Sequence, residues 1–589
     1  MAYINIGLDA PYDGKYMVHK VLFPTSGMQT SEKDEFVSDG KCEYLCNMDV
    51  SYDSIYSRSG ISAEAVFSAV GDVHAVTKEL FCDRVVIHKG KSLYVYNPED
   101  KEISLITDTL PDKKSVFCTF LSKLYIYCDT RVYSLDSTLC FTEEEPEAAL
   151  LYDEVSSTIS NSKKPPEGAF YNLVSPRIRI NFAETTLTSF NLPAGADTDR
   201  GVVVYNYDEE VAEGDYTIYE NRVIVKGDKL KKVSVLYYAK DPEVIGFKPF
   251  IDDCNVTASF GGNAGGGTRI FFTGNESDKG AYYKSALQNP LYVSSGEKEY
   301  IGDGCENITA AKKMYGNLII FTEKSVFKMV YTFTSGEVYF SVKELSCGVG
   351  CDCPNSVQLI NNRVVFLNSK KGIFIVSATD EAGEHNIKPI SGSIIKGKGR
   401  GLLDTGEDAL KNSFSLDFDR KYILFAGGKA FIWDYDKSSF IDSDNYKKSE
   451  GRLVWFTYDN LSGDFFYEYG KRLISFDGTS GTFYKYDDEG EGDFTRTYES
   501  GKMDFGNAHR KKRIYSVVLI LGSESEKEIE FRLFADGESV DFVKISGMCV
   551  GKRRIHIAPK SKAAFGHGFS LSSEGAFEFY GAEITYKVI

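Results

Sequence analysis

Residues 364–376 read VVFLNSKKGIFIV, an apolar quartet, a polar turn and a second apolar run. Neither run is long enough for a helix, the residues are β-branched or aromatic, and the Asn-Ser-Lys-Lys-Gly break supplies a chain reversal, so the phrase predicts a β-hairpin. It recurs at 85–97 (VVIHKGKSLYVYN), 123–135 (KLYIYCDTRVYSL), 269–283 (RIFFTGNESDKGAYY), 318–330 (LIIFTEKSVFKMV), 422–434 (YILFAGGKAFIWD) and 465–477 (FFYEYGKRLISFD), which makes seven copies. Neighbouring copies lie roughly 40 to 60 residues apart, the spacing of four-stranded propeller blades. No helical pattern of useful length intervenes. The expected fold is all-β, a β-propeller of about seven blades.

The spacing breaks between Leu124 and Ile270, where about 145 residues separate hairpins that should be one blade apart. Within that gap RIRINF, GVVVYNY, DYTIY, NRVIVKG and KVSVLYY are short alternating segments with turns between them, enough for an inserted small β-sandwich over 170–240. The preceding 142–168, TEEEPEAALLYDEVSSTISNSKKPPEG, has the charge run and Pro pair of a linker with one short helix. After the acidic loop DDEGEGD at 487–493 the hairpin phrase stops, and KKRIYSVVLILG, EIEFRLFAD and FEFYGAEITYKVI predict a C-terminal β-sandwich over 498–589. The organisation expected is thus an N-terminal segment and first blades over 1–165, the insert, further blades over 241–490 and the C-terminal sandwich. The region 1–81 is available to close the ring with an N-terminal strand.

Composition agrees with strands and tight turns: among 589 residues there are 38 Tyr, 40 Phe and 53 Gly against 15 Pro. The formal charge is −17, which argues against an indiscriminate grip on a nucleic-acid backbone. From 498 to 589 about 14 basic side chains meet about 12 acidic ones, so the acidity sits in the rest of the chain. The beginning, MAYINIGLDAPYDGK, has no basic segment followed by an apolar one, and no apolar run approaches a bilayer span, so neither secretion nor membrane insertion is expected. Twelve scattered cysteines, several within apolar strands, fit a reducing compartment.

Chemistry is sparse. The seven histidines lie far apart, and Cys347, Cys351 and Cys353 lack a CxxC pair, so no metal site is assigned. SFDGTSGTF at 475–483 approaches a sialidase-type Asp box, but Thr479 stands where that motif wants Gly, and an ordinary turn is expected. Asp434, Asp436, Asp442 and Asp444 carry oxygens suited to calcium without the EF-hand order. No catalytic residue, cofactor or nucleotide loop is assigned. Lys396, Lys398 and Arg400 in IIKGKGRGLL are candidates for a DNA-backbone contact, and Arg510, Lys511, Lys512 and Arg513 for docking an acidic partner.

The runs CNVTASFGGNAGGGTRIFFTGNESDKGAYYKSALQNPLYV, GCENITAAKKMYGNLIIFTEKSVFKM and VKELSCGVGCDCPNSVQLINNRVVFLNSKKGIFIVS, within 254–380, resemble the propeller core of tailed-bacteriophage structural proteins. These are the packaged-DNA stabilisation and tail-nozzle propellers of short-tailed phages. CEYLCNMDVSYDSIYSRSGI at 42–61, the 170–240 insert and the closing segments after Arg510 resemble the same family. The resemblance implies a non-enzymatic virion protein in a homo-oligomeric ring at or below the portal, contacting portal, adaptor or other tail proteins and, transiently, packaged double-stranded DNA. It implies residence in the virion tail after assembly in the host cytoplasm. The alternative is a receptor- or glycan-binding tail protein whose insert presents Tyr205, Tyr207, Tyr216 and Tyr219 to sugar.

Overall fold

The computed structural model describes residues 16–22, 26–30, 40–159, 169–193, 195–227, 229–240, 249–262, 267–335, 337–376, 387–438, 453–487, 494–523, 525, 527–546 and 551–589. The chain is all-β, 55% strand and 4% helix, built from many sheets whose strands are mostly antiparallel. It divides into two compact units, one made of 69–351 and the other of 1–68 with 352–589.

The 69–351 unit holds four four-stranded meanders, over 73–107, 116–144, 256–300 and 308–347. Sequence alternation dictates how they pack, since successive side chains of a strand leave on opposite faces. In Lys123–Cys128, Leu124, Ile126 and Cys128 join a core with Val86, Leu93 and Val95 of the 73–107 sheet. Tyr125 and Tyr127 of the same strand point the other way and pack with Ile270 and Phe272 of the 256–300 sheet. The next strand repeats the device: Ile270 and Phe272 face back, whereas Phe271 faces forward to Ile308, Leu318 and Ile320. Tight two-residue reversals make such sheets possible, as where Phe120 pairs with Lys123 across Leu121 and Ser122, whose φ angles are 46° and 63°.

Between the second and third meanders the chain builds two further sheets around one core. A six-stranded sheet contains Ala149–Val155, Arg177–Phe182 and Val233–Ala239, and a three-stranded one contains Ser189–Asn191, Arg222–Val225 and Tyr216–Tyr219. Ile178, Ile180, Phe182, Phe190, Val223 and Val235 are buried between them. The stretch expected as a linker with a short helix differs: it is strand over Phe141–Glu144 and Ala149–Val155, and residues 160–168 lie outside those described. Ala149–Val155 pairs in parallel with Arg177–Phe182, and its Ala149, Leu151 and Tyr152 side chains are core and not linker, while Leu150 is exposed. Buried Asn172 fastens this region to the 256–300 meander: its Nδ2 donates to the carbonyls of Glu147 and Leu291, both at 2.8 Å, and its Oδ1 accepts from Val293 N at 2.9 Å.

In the other unit, meanders cover 358–389 and 414–458, and Phe465–Tyr469, Arg472–Asp477 and Thr482–Asp487 are completed by N-terminal Gly60–Val66. All seven sequence hairpins are antiparallel pairs in the two units. The last differs in frame. Elsewhere the hairpin supplies the two middle strands, whereas 465–477 supplies the first two, because the fourth strand comes from the other end of the sequence.

The 414–458 sheet continues through Cys42–Cys46, Arg496–Ser500, His567–Ser573 and Ile529–Ala535 to Glu538–Ile545. A second sheet holds Met48–Val50, Ile55–Ser57, Phe577–Val588, Lys512–Ser523 and Arg553–Ile557, with Met17–Leu22 along Phe577–Val588. Tyr498 and Phe569 of the first meet Phe579 of the second, with ring centroids 4.9 and 6.1 Å away. Sequence pattern alone separated 498–589 from the N-terminus, yet N-terminal strands pair into both sheets.

Arg58, in the SRSGI turn, anchors those N-terminal strands. Its Nε donates to Asn47 Oδ1 at 2.8 Å, Nη1 to Ser59 O and Nη2 to Asp459 O at 2.9 Å, and its guanidinium lies 3.6 Å from the Phe494 ring centroid. Asn47, buried with φ 57°, donates to Asp459 Oδ1 and to Thr495 O. Removing a buried, fully bonded charge costs about 3 kcal/mol or more, because its partners stay behind unpaired. Arg58→Ala is therefore expected to speed amide exchange of Gly60–Val66 and Thr482–Asp487 roughly hundredfold, while leaving 73–107 unchanged. Unchanged protection of Thr482–Asp487, read by hydrogen-exchange mass spectrometry, would refute the anchoring role.

Candidate functional site

The 396–400 loop does not present three free cations. Exposed Lys398 pairs with Glu43, and Arg400 pairs with Glu499 at 2.6 Å while lying 4.3 Å over the Tyr44 ring. Lys396 is exposed, and its carbonyl accepts from Thr30 Oγ1 at 3.0 Å. The loop thus fastens itself to the Cys42–Cys46 strand, through charge-assisted bonds stronger than neutral ones.

The 510–513 cluster splits by strand alternation. Lys512 is buried, its Nζ donating to Phe565 O at 2.7 Å, and burial lowers its affinity for a proton. Arg510, Lys511 and Arg513 are exposed, with Lys511 lying 5.4 Å from the Phe565 ring centroid. Arg513 lines an open groove of about 670 Å³ together with Tyr515, Val540, Lys560 and Lys562. Its Nε donates to Ser561 O at 3.0 Å, and Ser561 Oγ accepts from Ile514 N at 3.1 Å, which fixes the 559–562 segment against the strand. Lys562 pairs with Glu538 at 2.5 Å. Lys560 and Lys562 escaped the sequence reading because their only signal is the short phrase APKSK, and nothing local links it to Arg513.

The remaining candidates resolve into structural roles. Asp434 is buried and pairs with Lys437 at 2.8 Å, and Asp436 pairs with Arg420 at 3.0 Å; Asp442 and Asp444 lie outside the described residues. Asp477 caps its own turn, accepting from Thr479 N, Ser480 N and Ser480 Oγ. Cys351 and Cys353 are buried and Cys347 is exposed. Among the described residues no three His, Cys, Asp or Glu stand together as metal ligands. Of the insert tyrosines, Tyr207 and Tyr219 are exposed, whereas Tyr216 donates to Val202 O at 3.1 Å and is half-buried with Tyr205. No helix among the described residues is long and apolar enough to cross a membrane.

No protein-family model matches the chain, and no curated protein does. Solved structures similar to it include the AfRom2 CNH domain, at 8% identity over 72% of this chain and 99% of that one, with a TM-score of 0.33. The WD40 domain of SCAP from fission yeast is 7% identical over 87% and 98%, with a TM-score of 0.23. Apo AztD from Citrobacter koseri is 9% identical over 70% and 96%, with a TM-score of 0.30.

Buried His88 is expected to make stability depend on pH. His88 is fully buried, its Nδ1 in a 2.9 Å hydrogen bond with Ser115 Oγ, and its ring centroid is 5.0 Å from that of His74, which meets Asp112 at 2.7 Å. Burial first, and the neighbouring His74 second, push the His88 imidazole down to about 4. An unfolded histidine titrates near about 6.5, so below that the unfolded chain takes up a proton that the folded site refuses. Stability therefore falls as pH drops from about 6.5 to about 4. His88→Gln should flatten the difference in melting temperature between pH 7 and pH 5, and an unchanged difference would exclude His88 as its source.

Proposed function

We propose that the chain is a non-enzymatic structural protein of a tailed-bacteriophage virion, a ring component of the tail or nozzle below the portal that helps to retain or conduct packaged DNA. The seven four-stranded meanders act in this reading as the blades of one propeller, the 149–239 sheets as an inserted β-sandwich and the sheets of the C-terminal half as a second one. The observation that carries the reading is the completion of the last meander by Gly60–Val66, because an N-terminal strand that pairs into the last blade covers the edge of Thr482–Asp487 in the way a blade series closes. An acid-rich surface lets DNA slide past instead of adhering. Lys396 supplies a local phosphate contact, with Lys398 and Arg400 reaching the backbone only by leaving Glu43 and Glu499.

The second reading, a glycan-binding tail protein, is favoured by the exposed rings of Tyr207 and Tyr219 on the insert. Electron microscopy of the purified chain, alone and mixed with a portal or adaptor protein encoded beside it, separates the two. Closed rings with a central hole are expected. Isolated particles in both samples, together with glycan-array binding that Tyr207→Ala and Tyr219→Ala abolish, would replace the ring reading with the second.

A further inference from the structure

The groove beside Arg513 is lined by three cations, Arg513, Lys560 and Lys562, with Glu538 and Asp541 as neighbouring acids. Arg513 stands directly opposite Lys587 across two antiparallel strands, an arrangement that is destabilising for like charges. Lys560 lines the same groove, and Lys562 pairs with Glu538. Asp541 is turned to the Lys560 backbone N–H at 2.9 Å. The floor is apolar, from Ile514, Val540 and Pro559, and Tyr515 meets Tyr16 edge to face with ring centroids 4.9 Å apart. An open cationic groove with an apolar floor and an aromatic wall suits carboxylates and rings.

The complementary surface lies on the same chain. Residues 207–220, YDEEVAEGDYTIYE, contain six acids and no base. Asp208, Glu209, Glu210, Glu213, Asp215 and Glu220 are all exposed, as are Tyr207 and Tyr219. Their strand Tyr216–Tyr219 ends its three-stranded sheet and shows three of its four side chains to solvent. Nucleic acid fits the groove less well, since a duplex needs an extended basic track and these cations are confined to Arg513 and the 559–562 segment.

We infer that this groove is the docking site for the acidic 207–220 segment of a second copy of the chain, in a head-to-tail contact that can repeat. Such heterologous contacts close into rings when the rotation allows, so the inference rests on the ring reading for closure but not for the contact itself. Long-range repulsion between copies of charge −17 is screened beyond about 8 Å at physiological salt, leaving local complementarity to decide.

Sedimentation velocity of the full chain tests it, with circular dichroism confirming that each variant is folded. Wild type should associate at 0.15 M salt and dissociate at 1 M. Arg513→Glu with Lys560→Glu, or Glu209→Lys with Glu210→Lys, should each weaken association about tenfold or more. Mixing the two variants should restore dimers, since each retains the half that the other lacks. Association unaffected by either pair would overturn the contact while leaving the ring reading intact, with rings closing through another surface. Loss with the groove variant but not with the hairpin variant would overturn the named occupant in favour of a different acidic segment. A wild-type chain monomeric at every salt concentration would overturn the contact, and the ring reading would then stand or fall on the mixture with portal protein.

Discussion

A four-stranded sheet that is apolar on both faces cannot be left in water on either. Strands such as Lys421–Ala426 and Gly372–Val376 are buried along their whole length, and each fully buried Leu, Ile or Phe contributes about 1.5–3 kcal/mol that exposure would forfeit. The sheet must therefore be covered twice. In the 69–351 unit each inner meander meets this by lending odd positions to one neighbour and even positions to the next, as Leu124 and Tyr125 do. The aromatic content follows: Tyr127 against Phe272 and Phe271 against Phe340 are rings at about 5 Å in edge-to-face contact, filling the space between sheets that diverge through twist.

The same requirement explains why the ends of the sequence meet. Phe483 and Phe476 on the last meander are fully buried, and Thr482–Asp487 would be an open edge without Gly60–Val66. Gly481 shows how closely the strands approach, since its φ is +68° and a Cβ there would stand 2.2 Å from Phe67 O. Backbone pairing this late in the chain carries a large closure entropy. Arg58 and Asn47 offset part of it by binding Asp459 and the 494–495 segment, so one turn holds the N-terminal strands to the last meander and to the sheet beyond it.

Hairpins buried on both faces were legible from sequence because their apolar runs are nearly continuous and their turns are polar. The Ala149–Val155 strand was not, because its EEEPEAALLYDEV context carries the charge of a solvated linker while Ala149, Leu151 and Tyr152, spaced irregularly around a break in register, enter the core. The frame of the 465–477 hairpin was hidden for a different reason, as its sheet is completed by residues about 400 positions away. Site chemistry was legible in residue type and not in placement. Arg510 to Arg513 looks like one basic patch, but strand periodicity sends Lys512 inward to Phe565 O and Arg513 outward to the groove. Lys398 and Arg400 look free, yet their acids come from Glu43 and Glu499, far along the sequence.

Charge is the property that composition and structure describe differently. An overall −17 would lead one to expect a surface that repels every anion, and over most of the chain acids do outnumber bases. Around Arg513, however, Lys587, Lys560 and Lys562 outnumber the neighbouring carboxylates of Glu538 and Asp541, while 207–220 gathers six acids and no base, with Asp208 paired to Arg179. Separating opposite charges onto different surfaces costs a folded monomer stability through repulsion within each patch, and the cost is recovered only when the patches meet. In one molecule these two surfaces belong to different units, each rigid in its own sheets. In the proposed contact, long-range charge would hold copies apart and local charge would select one orientation, the electrostatics of an ordered assembly and not of an aggregate.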